Sequence, residues 1–498
     1  LQREDARILD EELGVNAVRT SHYPQSQYFI DECDKRGILV FTEIPGWQHI
    51  SQDTHWKQIC CNNVKDMVRQ YRNHPSICLW GVRINESQDD DALYTQTNAI
   101  AHALDPTRPT SGVRYLEKSS LLEDVYSYND FSHTGDNPGC KAKKDVTPDM
   151  KKPVLISESN GHMFPTKSYD PISKRESHAL RHAKVLNDAL SDHQHAGCFQ
   201  WCMFDYATHK DFGSGDKICY HGVLDSFRNP KLAASVYASQ QDRTPVLQVS
   251  TSMDIGDYPA GQIPSFYCFT NGDAVRLYKN DAFVKEFSTT PYTALHHGPI
   301  LIDDTIGNLL EDNEHIPSTE ARQIRTCLNA AAKYGIANLP LKYKTLFGYV
   351  MVRYHLSFAD GYALYSKYVG NWGGEATVWR FDAVKDNKVI ASITKSPGES
   401  LHLEVIPSST VLHEGDTYDM CALRIRIKDN HNNLASYAQL PVHIHVSENL
   451  TLIGPDTVTA EGGMCGAYVK TNTQTGIATI TVESSAIPPV TITIEIKG

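Results

Sequence analysis

The sequence predicts a (β/α)8 barrel that lacks its first strand, followed by immunoglobulin-like β-sandwiches, one of them with a helical insertion. Three observations lead there. Residues 1–241 alternate short apolar runs with amphipathic stretches, the pattern of parallel strands joined by helical crossovers. After Asp242-Arg243-Thr244-Pro245 the texture changes to apolar–polar alternation punctuated by Gly, Asn and Pro, as in antiparallel sandwiches. The chain has 498 residues, too many for one compact domain at roughly 100–200 residues each.

The elements follow in order. Asp5 to Leu13 places Ala6, Ile8, Leu9 and Leu13 near one helical face, with no strand before it, so the missing barrel strand is expected to be the first. Seven strands are then predicted, at Asn16–Thr20, Ile38–Thr42, Ile77–Trp80, Thr110–Val113, Asp124–Ser127, Val154–Ser157 and Cys198–Trp201. Helical patterns fill the gaps, the longer ones at Trp56–Tyr71 and Ser177–Leu190. A first sandwich is expected over 242–409, with strands such as Val246–Val249, Ser265–Phe269, Val275–Tyr278 and Ala376–Arg380. It is interrupted over about 303–370 by helices at Ser318–Tyr334 and Tyr349–Tyr368. A second sandwich is expected over 410–498, where Cys421–Ile427, Leu440–Val446 and Ile477–Val482 alternate as strands.

Composition narrows the function. Apolar residues at 41% and charged residues at 21% are ordinary globular values and exclude a disordered or fibrous chain. A balance of 47 Lys and Arg against 59 Asp and Glu gives −12, without a long basic run, which argues against nucleic acid and anionic membrane surfaces as partners. No apolar stretch reaches 18 residues, so no transmembrane helix is predicted. The 12 Cys show neither repeated CxxC nor His-paired finger spacing, and are read as mostly buried thiols. Leu1-Gln2-Arg3 carries no Met or signal peptide, and an N-terminal part is expected to be missing.

In a barrel of this kind the loops after the strands form one mouth, where function gathers. Polar residues follow most of the predicted strands: Ser21-His22, Glu43, Asn85-Glu86-Ser87, Tyr128-Asn129, Glu158-Ser159 and Asp205-Tyr206. Two carboxylates stand out, Glu86 and Glu158, on different strand ends facing the same mouth. Glycosidic cleavage needs such a pair: the leaving oxygen must be protonated while an oxocarbenium-like centre is stabilised from the opposite side. Taken singly, a Glu after a strand is more often solvated or salt-bridged. His178 and His182, at i and i+4, read as a solvated helix face; His443/His445 and His296/His297 read as surface histidines without a carboxylate or Cys partner.

The segments Asn16 to Pro24, Asn73-His74-Pro75-Ser76 through Asn85-Glu86-Ser87, and Ile156-Ser157-Glu158 resemble the catalytic barrel of glycoside hydrolase family 2. Tyr206, Gly222-Val223-Leu224-Asp225 and Pro230-Lys231 extend the likeness over about residues 1–241, and the later sandwiches look like accessory domains of bacterial members. The resemblance implies a retaining exo-β-glycosidase, most often a β-galactosidase, with Glu86 as general acid/base and Glu158 as nucleophile. It further implies that Asn85 holds the sugar 2-hydroxyl, Tyr128 orients the nucleophile, His22 touches sugar hydroxyls, Arg19 keeps Glu158 ionised, and Trp201 forms a platform under the sugar. The substrate would be an oligo- or polysaccharide or another glycoside.

Some residues depart from the family pattern. Trp80 to Glu86 is one residue longer than the common family spacing, a difference a bulge could absorb. Glu43 is followed by Ile44-Pro45-Gly46 rather than a family-type His ligand, so no metal and no cofactor are predicted. The sugar-carboxylate clamp of β-glucuronidases is not evident around Asp216 to His221; Arg83 and Lys217 keep that specificity as the alternative. A non-catalytic carbohydrate-binding or truncated product is the alternative of another class, with the sandwiches as scaffold or homo-oligomer interface. The resemblance fits a bacterial protein, periplasmic, secreted or cytoplasmic.

Overall fold

The computed structural model describes residues 1–132, 139–209, 213, 215–370, 376–398 and 400–498. Its first part is built on one seven-stranded sheet whose strands pair in sequence order and all run parallel. They are β1 (Ala17–Arg19), β2 (Leu39–Glu43), β3 (Ile77–Gly81), β4 (Thr110–Arg114), β5 (Val125–Asn129), β6 (Val154–Glu158) and β7 (His195–Cys198). Six lie within two residues of their predicted places. The seventh ends at Cys198, where the expected strand began, and that displacement puts Trp201 in the loop beyond it.

The helices form because their apolar residues recur at helical spacing and find one face to bury. The opening helix α1 (Gln2–Arg7) continues as a wider π-helical turn over Ile8–Glu12, and Ala6, Ile8, Leu9 and Leu13 are all buried as expected. Next come α2 (Gln27–Arg36), α3 (Thr54–Tyr71), α4 (Asp91–Leu104), the short α5 (Lys143–Val146), α6 (Ile172–Ser191) and α7 (Ala234–Ala238). Asp53 and Asp90 cap α3 and α4, accepting from the amides of His55 and Leu93. On the inner side of the sheet, Phe41, Leu79, Val113 and Leu155 form a small apolar cluster. That plug fills the barrel interior beneath the strands' C-terminal ends, where the polar residues begin.

The hairpin β8 (Tyr206–Ala207) and β9 (Ile218–Cys219) precedes the two sandwiches. In the middle sandwich β10 (Leu247–Val249), β11 (Phe266–Thr270) and β14 (Ile300–Ile302) form one sheet. The other runs β13-β12-β15-β16, with β12 at Ala274–Lys279, β13 at Ala282–Phe287, β15 at Trp379–Lys385 and β16 at Lys388–Lys395. Between β14 and β15 lie α8 (Leu309–Glu314), α9 (Ser318–Tyr334), α10 (Leu341–Arg353) and α11 (Phe358–Tyr365). The single helix expected over Tyr349–Tyr368 is thus two. His355 takes a left-handed φ of 54°, and Ser357 starts a new helix through a reciprocal capping box with Asp360.

The C-terminal sheets run β17-β19-β23-β21 and β18-β25-β24-β20-β22. Their strands are β17 (Leu401–Pro407), β18 (Val411–His413), β19 (Met420–Asp429), β20 (Pro441–Val446), β21 (Leu450–Ile453), β22 (Thr457–Thr459), β23 (Met464–Thr471), β24 (Gly476–Ser484) and β25 (Ile487–Lys497). Because β17 pairs with β19, the strand at 401–407 joins these sheets although it precedes the expected boundary at 410. The sandwich is tied back to the barrel: Arg228 donates to Asp5 at 2.8 and 2.9 Å, Arg424 to Glu12 at 2.7 and 2.8 Å, and Asn229 to the Cys465 carbonyl at 2.9 Å. All twelve Cys are free thiols, eight of them buried. Among the described residues, no helix is long and apolar enough to cross a membrane.

Candidate active site

The parallel register delivers Arg19, Glu43, Asn129 and Glu158 to the ends of four strands. Arg19, at the end of β1, is the hub. Its side chain is 3% exposed; Nη1 donates to Glu158 Oε1 at 2.6 Å, and Nη2 to Glu43 Oε1 at 2.7 Å and Asn85 Oδ1 at 3.0 Å. Nη2 also lies 3.3 Å from His22 Nδ1, which is itself 3.3 Å from Glu43 Oε1. One cation therefore serves two buried carboxylates, and it serves them unequally. The Glu43 carboxyl loses solvation by burial, but Arg19 and His22 outweigh that loss and hold it below the usual carboxylate range. Burial pushes the Glu158 carboxyl up, with the charge of Glu86 adding to it, and Arg19 and His22 recover part of the shift.

Glu86 lies beyond β3 at a left-handed φ of 53°. Its Oε2 accepts from Trp47 Nε1 at 2.9 Å and Gln48 Nε2 at 3.2 Å, and its Oε1 accepts from Asn129 Nδ2 at 2.9 Å. Asn129 Oδ1 in turn accepts from Ser157 Oγ at 2.9 Å, so one amide links the loop of Glu86 to the strand of Glu158. Within β3 the register slips at Cys78, before Trp80; the stretch from Trp80 to Glu86 leaves the strand at Gly81 and takes up its length in the turn. Gly81 is required there, because a Cβ at that position would sit 2.3 Å from Glu43 Cβ. Asn85 is buried, and among the described residues its Nδ2 has no hydrogen-bond partner. An amide that is buried with one donor unused is costly unless a ligand oxygen reaches it.

The structure brings Arg19, His22, Asn85, Glu86 and Glu158 together, with Trp201 beside them. Trp201 stacks on His22 with ring centroids 5.5 Å apart and 11° between planes, and its Nε1 donates to Tyr206 at 3.2 Å. Tyr128 is the exception. It packs with Tyr126, Val146 and Val154 on the outer face of β5, and its hydroxyl donates to Glu117 at 3.5 Å, not to Glu158. The reason is the period of two: Ser127 and Asn129 point inward, so Tyr128 between them points out. Sequence reasoning placed Glu43 and Asn129 at the mouth without giving them a role, and missed Trp47 and Gln48. Strand parity could have exchanged Tyr128 for Asn129; nothing in the sequence places the Trp47-Gln48 loop.

Two histidine readings also change. His178 and His182 are buried, not solvated: their Nε2 atoms are 3.2 Å apart, and His182 Nδ1 is 2.8 Å from the Tyr237 hydroxyl and 3.4 Å from Asn160 Nδ2. Burial pushes the His178 imidazole well below its ordinary range. His296 and His297 have a carboxylate partner after all, Asp242, at 2.8 and 2.9 Å, and Lys385 shares it at 2.5 Å. Asp31, Asp34 and His74 form a second group of potential metal ligands, in which His74 Nδ1 is already 2.6 Å from Asp34. Neither group includes a residue of the barrel mouth.

Residues 2–245 match the model for "Glycosyl hydrolases family 2, TIM barrel domain". The chain is 38% identical over 473 residues to a beta-galactosidase of Thermoanaerobacterium thermosulfurigenes, covering 93% of this chain and 57% of that protein. It is 36% identical over 481 residues to a beta-galactosidase of Thermoanaerobacter pseudethanolicus, covering 96% and 56%. A crystal structure of a beta-glycosidase from Bacteroides vulgatus superposes with a TM-score of 0.65 at 18% identity, over 99% of this chain and 61% of that one. The chain thus spans a little over half the length of the curated relatives it matches.

Proposed function

This chain belongs to family 2 of the glycosyl hydrolases, and from that premise we propose that it carries the catalytic centre of a retaining exo-β-glycosidase acting on terminal β-galactosides. The observation that carries the reading is the pair of carboxylates, each held by its own set of donors: Arg19 on Glu158, and Trp47, Gln48 and Asn129 on Glu86. Glu158 attacks the anomeric carbon as Glu86 delivers its proton to the departing glycosidic oxygen, giving a glycosyl ester and a free alcohol. Glu86, now a carboxylate, takes a proton from water; the water oxygen bonds the anomeric carbon and the ester bond to Glu158 breaks. Asn85 Nδ2, without a partner among the described residues, donates to a sugar hydroxyl beside Arg19 in this reading, a contact of the kind that strengthens in the transition state. The stacked His22–Trp201 pair supplies an apolar wall with a polar edge.

The names of the two relatives favour galactose over glucuronate. So does Arg83, which is 1% exposed and committed to Asp89 at 2.6 Å and the Ser87 carbonyl at 3.1 Å, rather than presented to a sugar carboxylate. The test is intact-mass and peptide mapping of the chain after exposure to 2-deoxy-2-fluoro β-glycosides. The expected result is a covalent label on Glu158, fastest with the galactoside. A label on another residue, or none in folded protein, overturns the assignment.

A further inference from the structure

The inner face of the middle sandwich is apolar until its last row, where it carries two lysines. β12, β15 and β16 are antiparallel neighbours, and their residues stand in rows across the three strands. Leu277 opposes Phe381 and Phe381 opposes Ile393; one step on, Lys279 opposes Trp379 and Trp379 opposes Lys395. The first row is core. In the second row the alternation calls for apolar residues on the same face, yet an ammonium flanks the tryptophan on each side.

The second row lines a cavity of about 310 Å3 at the end of the sandwich, shared with Tyr368 from the helical insertion and with Ser252 and Asp254. Lys279 Nζ lies 5.2 Å from the Trp379 ring centre and 5.6 Å from that of Tyr368, and its hydrogen bond, a long one of 3.4 Å, goes to the Lys367 carbonyl. Lys395 makes no hydrogen bond, and neither ammonium has a carboxylate within ion-pair distance, among the described residues. Asp254 and Asp429 act on Lys395 from further away. Burial pushes both lysines down, Lys279 to about 8 with Lys367 adding to the effect, and pushes the Asp254 carboxyl up. Two half-buried ammonium groups, whose nearest carboxylates Asp254 and Asp429 lie beyond ion-pair distance, are well placed in a cavity that receives an anion.

We propose that this cavity binds a small acidic saccharide, a pyranose bearing a carboxylate or a phosphate. The ammonium groups of Lys279 and Lys395 take the anion, Trp379 and Tyr368 wall the ring, and Ser252 and Asp254 meet hydroxyls. The volume is at the lower end for small-molecule pockets, larger than an inorganic anion needs. The site lies wholly outside the barrel, so it stands or falls independently of the glycosidase reading.

Calorimetric titration of the full 498-residue chain with D-galacturonate, D-galactose 6-phosphate, inorganic phosphate and D-galactose tests the proposal. At least one acidic sugar should bind tenfold or more tighter than both inorganic phosphate and D-galactose; which one it is identifies the anionic group. Lys279→Met and Lys395→Met should each weaken that binding tenfold or more, and Lys395→Arg should retain most of it. Thermal melting of the wild-type chain gives a measurement independent of how the variants fold, with a rise in Tm expected for the preferred acidic sugar. Absence of binding and of a melting shift with both acidic sugars overturns the proposal. So does binding undiminished in the folded double Lys→Met variant, or inorganic phosphate binding as tightly as the sugars.

Discussion

Arg19 is shared between Glu43 and Glu158, and that sharing makes a directional prediction at the scale of single residues. A nucleophilic carboxylate must be ionised, so turnover should fall as pH drops through the raised value of Glu158, earlier than an ordinary carboxyl would dictate. Glu43→Gln removes the competitor for the guanidinium, leaves Arg19 to Glu158, and should move the acid limb of kcat/KM to lower pH. Arg19→Met removes the cation and should move the limb to higher pH. Profiles that shift in the same direction in both variants would rule out the shared-cation account. Glu158→Gln should lower kcat by about 10⁴-fold or more, roughly 5.5 kcal/mol of transition-state stabilisation, while Glu86→Gln should spare activated aryl glycosides more than unactivated ones. Steady-state rates on the two substrate classes check both; wild-type rates in both variants would defeat the roles assigned. At this scale strand-end reasoning singled out Arg19 and Glu158, which end β1 and β6, and Glu86, which lies in the turn beyond β3. It misled at Tyr128, whose phenol is chemically suited to the site but points to the wrong face of β5.

Elements constrain the site through how closely their backbones approach. β2 and β3 meet with Gly81 against Glu43, so Gly81→Ala must push the two strands apart or displace the Glu43 side chain. Overpacking of this kind costs about 1–3 kcal/mol. We expect a lower melting temperature together with a reduced kcat, measured by calorimetry and turnover on the same sample; wild-type values for both would show that the strands yield without cost. The capping box at Ser357 makes a contrasting prediction, because no residue of α11 is buried. Ser357→Ala should loosen that helix by roughly 0.5–2 kcal/mol, seen as faster amide exchange over 358–365, without changing turnover. The helix Ser318–Tyr334 could be read in full from its wealth of Ala, Arg and Glu, whereas the break between α10 and α11 depended on one residue's left-handed backbone and one cap.

For the whole molecule, the C-terminal sheets are fastened to the opening helix of the barrel by Arg424 on Glu12 and Arg228 on Asp5. Arg424 is 8% exposed, and its removal leaves Glu12 without a bidentate partner, so Arg424→Ala should cost about 1–3 kcal/mol at neutral pH. Arg424 and Arg7 hold the Glu12 carboxyl below its ordinary range in the folded chain against the loss of solvation by burial. Its contribution is therefore present above the unfolded carboxyl range and lost as pH falls through the lowered folded value. The difference in Tm between Arg424→Ala and wild type should accordingly shrink on acidification. A gap of constant size from neutral to acid pH would show that packing, and not the ion pair, fastens the two parts.

The sequence alone determined the alternation of strand and helix, the change to antiparallel texture near residue 242 and the two carboxylates, because periodicity and strand-end position are local properties. The tertiary structure decided which cation those carboxylates share, that Asn129 rather than Tyr128 reaches the mouth, and that His178 and His182 are buried. It also set two lysines on the inner face of a sandwich, side by side with a tryptophan. The physical reason is that pairing partners, registers and burial join residues tens to hundreds of positions apart, whereas local composition records propensity and period but not the neighbour on the next strand.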